Sequence, residues 1–169
     1  MTIADLRECP WFAHTAAQRL WKEWWRDERT FAHVRAKIEA SVAGGAFPFT
    51  LIAQEQGMFI GTVSVVESNM EPRRDLSPWL SGLWVDEQYR GRGWGSALVE
   101  AAIAKARANG RPDIYLTSKA DRRRFYGTRG WRSVCEAAGE VEVMHHSCEP
   151  TGGHRHDTDR IPLLETDSR

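Results

Sequence analysis

The most informative stretch of this 169-residue chain runs from Leu83 to Ser96 and reads LWVDEQYRGRGWGS. A β-rich run ends at Val85 and helix-forming residues follow the last glycine, so the stretch predicts a turn between a strand and a helix. Its glycines alternate with other residues, at Gly91, Gly93 and Gly95. This spacing lets backbone N–H groups turn inward, and the N-terminus of the following helix adds partial positive charge. With Arg90 and Arg92 beside it, the turn is predicted to bind an anion.

Two common phosphate-binding loops do not fit this turn. A nucleotide triphosphatase loop needs a lysine after its last glycine, and no lysine follows here. A dinucleotide-binding turn needs a third glycine where Ser96 stands and an acidic residue at the end of the next strand. The next predicted strand ends in Tyr115-Leu116-Thr117-Ser118, which offers no acidic residue. The anion is therefore expected to belong to another ligand.

Composition narrows the class of protein. Hydrophobic residues make up 41% and charged residues 27%, as in an ordinary soluble domain. The 23 basic and 23 acidic side chains give no net charge, so no overall field favours nucleic acid or a membrane surface. No apolar run reaches the roughly 18 residues of a membrane helix, and the three cysteines form no C-x-x-C pair. We expect a cytoplasmic protein that binds no nucleic acid, no membrane and no metal ion.

Periodicity divides the rest of the chain into helices and strands. Ala17, Leu20 and three tryptophans recur at three- and four-residue steps, which predicts a helix over 11–27 whose aromatic face joins the core or walls a substrate pocket. Thr30 is a predicted N-cap of a second helix, and Gly82 predicts a bulge in a central strand. The other predicted elements are strands over 2–7, 49–54, 58–66, 79–85 and 114–117, a helix from Ala97 that Asn109-Gly110 ends, a helix over 121–129, and a hairpin of 131–135 and 140–145.

The glycine-rich turn, Arg90-Gly91-Arg92-Gly93-Trp94-Gly95, resembles the acetyl-CoA signature of the GNAT superfamily of N-acetyltransferases. A second segment, Phe125-Tyr126-Gly127-Thr128-Arg129-Gly130-Trp131, has the form that a tyrosine-containing motif takes in this family at a similar distance. The order of predicted elements is similar over residues 2–146. The resemblance implies a layered α/β fold, with helices on both faces of a mostly antiparallel sheet whose central parallel strand pair is splayed. It implies one such domain over 1–146. From Ser147 onward apolar residues become scarce and glycines and charges dominate, which predicts a flexible tail over 147–169.

Carried over residue by residue, the resemblance implies a site for acetyl-CoA as cosubstrate. The pyrophosphate is expected on the backbone N–H groups of Arg90, Gly91, Arg92, Gly93, Trp94, Gly95 and Ser96. The pantetheine arm is expected to pair with the strand backbone at Leu83, Trp84 and Val85. Lys119 stands where many members have an asparagine that contacts the cofactor. Arg122, with Arg123 and Arg124 after it, either pairs with the adenosine 3′-phosphate or belongs to a solvated face.

The catalytic residues follow only in part from the resemblance. Tyr126 matches a position where the family often uses a phenol to protonate the departing CoA thiolate; alternatively it hydrogen-bonds the thioester sulfur or packs on the pantetheine arm. Trp79 and Ser81 stand where some members have a Glu or His base. The remaining candidates for the base are Glu67, Asp75, Glu142 and His145, each of which is alternatively a surface charge. Glu67 and Asp75 are also candidates to bind a substrate ammonium.

The resemblance implies an N-acetyltransferase that moves an acetyl group from acetyl-CoA to a primary amine of a small molecule or peptide by direct attack in a ternary complex. Trp79 and the aromatic first helix favour an acceptor with apolar area. Glu67 and Asp75 favour a cationic acceptor, such as an aminoglycoside-like or polyamine-like molecule, and a protein N-terminus or lysine is equally allowed. The alternative is a non-catalytic module that binds acetyl-CoA or a metabolite, because the central strand lacks a base. The sequence leaves a homodimer open.

Overall fold

The computed structural model describes residues 1–69, 73, 75–136 and 141–147. The chain alternates between strands and helices, and its connecting segments include short 3₁₀ turns. The strands are β1 (Thr2–Asp5), β2 (Phe49–Glu55), β3 (Met58–Val66), β4 (Trp79–Val85), β5 (Asp113–Lys119), β6 (Arg132–Glu136) and β7 (Val141–Ser147). The helices are α1 (Ala13–Leu20), α2 (Phe31–Ala40), α3 (Trp94–Ala108) and α4 (Arg123–Gly127). The tail predicted from residue 147 lies outside the described residues, except that Ser147 is the last residue of β7.

The seven strands form one sheet in the order β1-β2-β3-β4-β5-β7-β6. Every neighbouring pair is antiparallel except β4 and β5, which are parallel. The register of that parallel pair contains only Trp79 opposite Tyr115. The strands therefore separate beyond this point, and the predicted fold class, including the splayed parallel pair, is confirmed.

Helices cover both faces of the sheet because each face presents apolar side chains. On one face, Leu98, Ala102 and Ala106 recur at four-residue steps along α3 and are fully buried against the strands. On the other face, Leu20 of α1 and Val34 of α2 belong to a second buried cluster. The bulge predicted at Gly82 is present, since the pairing of β3 with β4 shifts register there. Gly82 has a φ of +63°, a conformation that glycine adopts without strain.

The first helical segment differs from the uniform helix predicted over 11–27. It consists of a 3₁₀ turn over Pro10–Phe12, α1, and a π-helical turn over Trp21–Trp25. The alanines of α1 and Leu20 are buried, whereas none of the tryptophans in the π-helical turn is fully buried. The wider turn fits more side chains around the axis and leaves these rings at the edge of the core. The tryptophans are therefore available to line cavities.

Asp5 connects the edge strand to α3. Its side chain is 6% exposed, accepts hydrogen bonds from the backbone and guanidinium of Arg7, and lies 3.1 Å from Lys105 Nζ. Burial alone would raise the pKa of Asp5, but the hydrogen bonds from Arg7 and Lys105 outweigh it and lower the pKa to about 2. This ion-pair cluster fixes the helix that carries the glycine-rich turn at its other end. Within the described part of the chain, no helix is both long and apolar enough to cross a membrane.

Candidate functional site

The glycine-rich turn lies between the end of β4 and the start of α3, as predicted. Asp86 begins it by accepting a hydrogen bond from the backbone N–H of Gln88. Gly91 and Gly93 have φ values of +74° and +86°, and Gly93 is the N-cap of α3. A Cβ built on either glycine would meet no described heavy atom within 4 Å. The helix N-terminus therefore faces open space large enough for an anionic group.

A cavity of about 620 Å³, here called the loop cavity, opens in front of this turn. It is lined by Leu83, Val85, Tyr89, Arg90, Gly91, Gly93, Trp94, Gly95, Ser96, Asp121, Arg122, Phe125, Tyr126 and Arg129. Most of the predicted cofactor residues thus line one cavity, and Tyr126 lines it as well. Two segments that are distant in sequence form its walls, because α4 packs beside the start of α3: a Cβ at Gly95 would lie 3.6 Å from the Phe125 ring.

Three predicted cofactor residues lie outside the loop cavity. Trp84 is buried on the opposite face of β4, where its ring stacks on Phe59 at a centroid distance of 6.0 Å. Only its backbone can therefore face a ligand on the loop side. The Arg92 guanidinium lies over the Tyr89 ring at 5.6 Å, and Lys119 lines a neighbouring cavity. The assignment of individual cofactor contacts to these three residues stays a prediction.

Arg129 is a residue of this cavity that the sequence analysis did not single out. Its Nε donates a hydrogen bond to Ser96 Oγ at 3.0 Å, and its guanidinium lies 3.9 Å from the Phe125 ring centroid. Further hydrogen bonds run from Arg129 to the Phe125 carbonyl and to Ser96. The arginine therefore ties α4 to the first turn of α3 and adds positive charge to the cavity. The sequence offers one signal for this role. Arg129 stands four residues after Phe125 near the end of the predicted helix, so the two side chains are expected on the same face.

Tyr126 lies where the loop cavity meets the opening between β4 and β5, and it lines both. Its side chain is packed edge-on against Phe125 and Trp131, at centroid distances of 5.0 and 5.9 Å. Burial raises the pKa of Tyr126 to about 12, although the charges of Arg122 and Arg129 act in the opposite direction. The phenol therefore keeps its proton at neutral pH and can donate a hydrogen bond.

The separation of β4 from β5 creates a second cavity of about 410 Å³, the splay cavity. It is lined by Trp24, Trp25, Asn69, Leu80, Ser81, Gly82, Leu83, Leu116, Thr117, Ser118, Lys119, Arg122, Tyr126 and Val141. At its closed end, Tyr115 N donates to the Pro78 carbonyl at 2.9 Å and Trp79 is fully buried. The cavity shares Leu83, Arg122 and Tyr126 with the loop cavity, so the two are adjoining.

A third cavity of about 380 Å³, the α2 cavity, adjoins the splay cavity on the other side. The two share Trp25, Asn69, Ser81 and Gly82. The other lining residues are Leu20, Arg29, His33, Val34, Lys37, Ile38, Ala40, Pro48, Thr50, Ser64, Val66, Glu67 and Ser68. The three cavities together run from the glycine-rich turn, through the gap in the sheet, to the first two helices. Residues of α1, α2 and the π-helical turn thus reach a site that the glycine-rich motif does not indicate.

Glu67 is the candidate base that lines the α2 cavity. Its side chain is 65% exposed and lies 4.0 Å from Arg111 Nη2. Asp75 accepts two hydrogen bonds from the Arg73 guanidinium, at 3.0 and 2.9 Å. The hydrogen bonds from Arg73 lower the pKa of Asp75, which makes this carboxylate a weaker base. Their roles as base or as ammonium ligand stay predictions.

The two candidate bases on β7 have partners of their own. Glu142 accepts a hydrogen bond from Ser133 Oγ at 2.6 Å and forms an ion pair with Arg123. His145 Nε2 lies 2.7 Å from Asp113 Oδ1, and its ring stacks on Tyr115 at 4.9 Å. Each therefore has a structural role, and neither lines the three cavities described here. Among the described residues, no group of three or more His, Cys, Asp or Glu is arranged to hold a metal ion.

Comparison with known proteins agrees with the fold. The chain is similar to yncA from Salmonella typhimurium, solved with its cofactor acetyl-CoA, at 18% identity and a TM-score of 0.65 over 91% of this chain and 97% of that one. It is also similar to an aminoglycoside 6′-N-acetyltransferase complexed with coenzyme A, at 16% identity and a TM-score of 0.70 over 90% and 100% of the two chains. A third similar structure is an acetyltransferase of the GNAT family from Streptococcus pneumoniae, at 19% identity and a TM-score of 0.64 over 86% of this chain and 98% of that one.

A search of curated proteins gives no match. The family model described as "Acetyltransferase (GNAT) family" matches residues 2–131, which include the glycine-rich turn, Tyr126 and all four helices, α1 to α4. This range covers most of the chain, and the three solved structures named above are similar to it in fold, with TM-scores of 0.64 to 0.70. The chain therefore belongs to the GNAT acetyltransferase family.

Proposed function

We propose that this protein is an N-acetyltransferase that transfers an acetyl group from acetyl-CoA to the primary amine of a small molecule or peptide, by direct attack in a ternary complex. The continuity of the three cavities carries the proposal. The loop cavity and the α2 cavity open on opposite sides of the splay cavity, so two ligands can meet inside the sheet. A non-catalytic module would use the second opening only if it bound a metabolite as well as acetyl-CoA. The cytoplasmic location and the tail after residue 147 stay predictions.

The residues of the loop cavity fit the cosubstrate. Gly91 and Gly93 leave open space before the N-terminus of α3, and Arg122 and Arg129 add two positive charges. These groups are suited to hold the pyrophosphate and the 3′-phosphate. The backbone of Leu83 and Val85 borders the same cavity and can pair with the amide-bearing arm. Acetyl-CoA supplies the activated acetyl thioester, and the chain's own groups position it.

Positioning is the main catalytic contribution in this proposal. Holding an amine and a thioester in adjoining cavities converts an encounter in solution into a reaction within one complex, an effect worth about 7 to 11 kcal/mol when the alignment is good. In this proposal a backbone N–H group of β4 near Leu83 or Val85 stabilises negative charge on the carbonyl oxygen. Leu83 lines both the loop and splay cavities, and Val85 lines the loop cavity.

Tyr126 acts in this scheme as a hydrogen-bond donor to the thioester sulfur. A free thiol has a pKa of about 8.5, whereas burial raises the pKa of Tyr126 to about 12. Full proton transfer from this phenol to a thiolate would therefore be uphill by roughly 5 kcal/mol. Donation of a hydrogen bond needs no such transfer and still stabilises charge that develops on the sulfur. This assignment selects one of the alternatives that the sequence leaves open.

The amine must lose a proton before or during attack. Glu67 is the candidate base that lines the α2 cavity, and its high exposure gives a proton a route to bulk water. Ser81 Oγ lies 3.5 Å from Asn69 Oδ1, where the α2 and splay cavities meet. These two side chains can orient an amine or a water molecule through hydrogen bonds. We propose Glu67 as the proton acceptor, directly or through water.

The test is an assay of free CoA release from acetyl-CoA with a panel of primary amines, followed by mass measurement of the products. We expect at least one amine to gain a single acetyl group with stoichiometric CoA release. The protein lacking amine, and the panel lacking protein, serve as controls for hydrolysis and uncatalysed transfer. Tight binding of acetyl-CoA without transfer to any amine would contradict the proposal and support the non-catalytic module instead.

A further inference from the structure

The α2 cavity has an uneven distribution of charge. Its basic lining residues are Arg29, which precedes α2, together with Lys37 and His33 on the helix itself. Glu67, on the segment after β3, is its acidic lining residue. The cations therefore stand on one wall, and the acidic residue belongs to a different one. Such an arrangement creates a local field even though the whole chain has no net charge.

Helical spacing explains why these side chains reach the cavity. His33 and Lys37 are four residues apart on α2 and share one side of the helix. Val34 and Ile38, one position further on, are buried against the sheet. The two polar residues therefore border the packed face and line the cavity beside it. Arg29 is held nearby because its carbonyl accepts a hydrogen bond of 2.8 Å from the indole of Trp21.

The Arg29 and Lys37 side chains of this wall lack an acidic partner among the described residues. Within the described residues, neither Arg29 nor Lys37 forms an ion pair. Arg35, which is also on α2 but outside the cavity, is paired with Glu39 at 2.7 Å. Glu67 has its own partner in Arg111, which does not line the cavity. On α2, Arg35 outside the cavity thus has an acidic partner, whereas Lys37, which lines the cavity, has none among the described residues.

We propose that the acceptor amine also carries a carboxylate, which Arg29 and Lys37 bind. This inference rests on the proposed acetyl transfer and names the substrate class of its acceptor site. Trp25, Val34 and Ile38 offer apolar area to the body of such a molecule, and its amine extends toward Ser81 where the cavity joins the gap in the sheet. A volume of about 380 Å³ suits a single small molecule of this kind.

This substrate class differs from the cationic acceptor expected from Glu67 and Asp75. Asp75 is held by Arg73 and does not line the cavity, so it is not available to attract a cation there. Two unpaired cations would repel a polyamine-like molecule, whereas a carboxylate gains charge-assisted hydrogen bonds from a fork-shaped guanidinium and an ammonium. The charge of the cavity therefore favours an amino acid or a related amino-carboxylate.

The first experiment compares acceptors that differ only in the carboxyl group: L-leucine, L-leucinamide and 3-methylbutylamine, with a parallel set based on phenylalanine. We expect kcat/KM for the acid to exceed that for the amide by roughly 10-fold. Lys37→Met and Arg29→Gln should each reduce this ratio several-fold. Because the ratio is taken within one enzyme, differences in the intrinsic reactivity of the amines cancel between variants.

Matched control variants distinguish the loss of a local carboxylate site from a general effect of removing positive charge. Lys22→Met and Arg35→Gln remove the same charges outside the cavity and should leave the ratio unchanged. Thermal melting checks that all variants are folded, which is expected because these side chains are exposed. Equal or better use of the amide and the simple amine by the parent protein would overturn the inference. An acid-to-amide ratio that Lys37→Met and Arg29→Gln leave unchanged would also overturn it.

A binding measurement tests the inference independently of turnover. Calorimetry with N-acetyl-L-leucine and N-acetyl-L-leucinamide should show tighter binding of the acid, and the difference should shrink in Lys37→Met. If no amine is acetylated but this preference is present, the proposed acetyl transfer fails while the carboxylate site stands. If amines are acetylated but the acid and amide bind alike, the carboxylate site fails while acetyl transfer stands.

Discussion

The loop cavity and the α2 cavity are built in opposite ways. Residues of two continuous stretches, 83–96 and 121–129, form the loop cavity. The α2 cavity draws on four separated stretches, 20–40, 48–50, 64–69 and 81–82. Backbone conformation dominates the first, and side chains on helices dominate the second. The cavity proposed for the cosubstrate can therefore be identified from a motif, whereas the cavity proposed for the acceptor becomes visible only when the chain is folded.

The largest effect is expected from breaking the loop cavity alone. Gly93→Asp places a carboxylate at the N-cap of α3, at a φ of +86° and in front of the pyrophosphate position. Repulsion and the lost space should weaken CoA binding on the order of 10²-fold or more. The measurement is calorimetry with CoA.

Gly110→Asp is the matched control for this change. Gly110 also has a positive φ, +79°, and a Cβ there would meet no described heavy atom within 4 Å. It lies beyond the other end of α3, so the control reports the backbone cost of the substitution without affecting the loop cavity. Equal CoA affinity in folded Gly93→Asp and parent protein would show that the pyrophosphate binds elsewhere.

A second prediction concerns the contribution of Asp5, which lines neither cavity, to the stability of the folded protein. The pKa of Asp5 lies at about 2, below its ordinary value of 3.8, so its contribution is present above pH 4 and is lost as the pH falls toward 2. Asp5→Asn should lower the free energy of unfolding at pH 7 by about 2 kcal/mol. The difference between parent and variant should narrow in acid, as measured by denaturant titrations at several pH values.

Asp27→Asn, at an exposed position after the π-helical turn, provides the control and should change little. CoA affinity of folded Asp5→Asn should match that of the parent, since Asp5 lines neither cavity. A constant difference in stability between parent and Asp5→Asn from pH 7 to pH 2 would refute the assignment of the low pKa.

The smallest effect is expected from a substitution of Tyr126, which lines both the loop cavity and the splay cavity. Tyr126→Phe keeps the ring that packs against Phe125 and Trp131 and removes only the hydroxyl. Loss of one hydrogen bond to a sulfur that gains negative charge should lower kcat by roughly 10-fold, with little change in KM for acetyl-CoA. Steady-state kinetics with a verified amine provide the measurement.

Tyr115→Phe removes a phenol that lines none of the three cavities and should retain the parent kcat. A loss of 10³-fold or more in Tyr126→Phe would indicate full proton transfer by the phenol, which its high pKa argues against. An unchanged kcat with a raised KM for acetyl-CoA would reduce Tyr126 to a binding group.

Local signals in the sequence were sufficient for much of the fold. Thr30 caps α2 as predicted, with its hydroxyl accepting from the backbone N–H of His33 at 3.3 Å. The hairpin of β2 and β3 is confirmed, and the bulge at Gly82 follows from a glycine inside a β-rich run. Each of these features depends on residues that are close in sequence. The resemblance to a known family supplied the order of the strands, which no local pattern contains.

The α2 cavity, proposed as the acceptor site, was less predictable because it depends on contacts between distant segments. The pattern over 11–27 indicates a helix but cannot show that the tryptophans would lie in a π-helical turn beside the gap in the sheet. Arg29 and Lys37 belong to no motif in the sequence, yet in the structure they line one cavity with Ser81 and Gly82 of β4. Likewise, Asp75 counts as a free carboxylate in the sequence and as a partner of Arg73 in the structure.

The gap between β4 and β5 also divides the sheet into two hydrogen-bonded ladders, β1–β4 and β5–β7, joined at Trp79 and Tyr115. Helix α3 contacts strands of both ladders, and one buried apolar cluster contains side chains from both. Cooperative unfolding of the whole sheet therefore depends on this side-chain packing more than on backbone pairing between the two ladders. We expect the β5–β7 ladder to open and exchange its amide hydrogens at a lower free energy than the β1–β4 ladder. A ligand that binds both edges of the gap would make the two ladders open together.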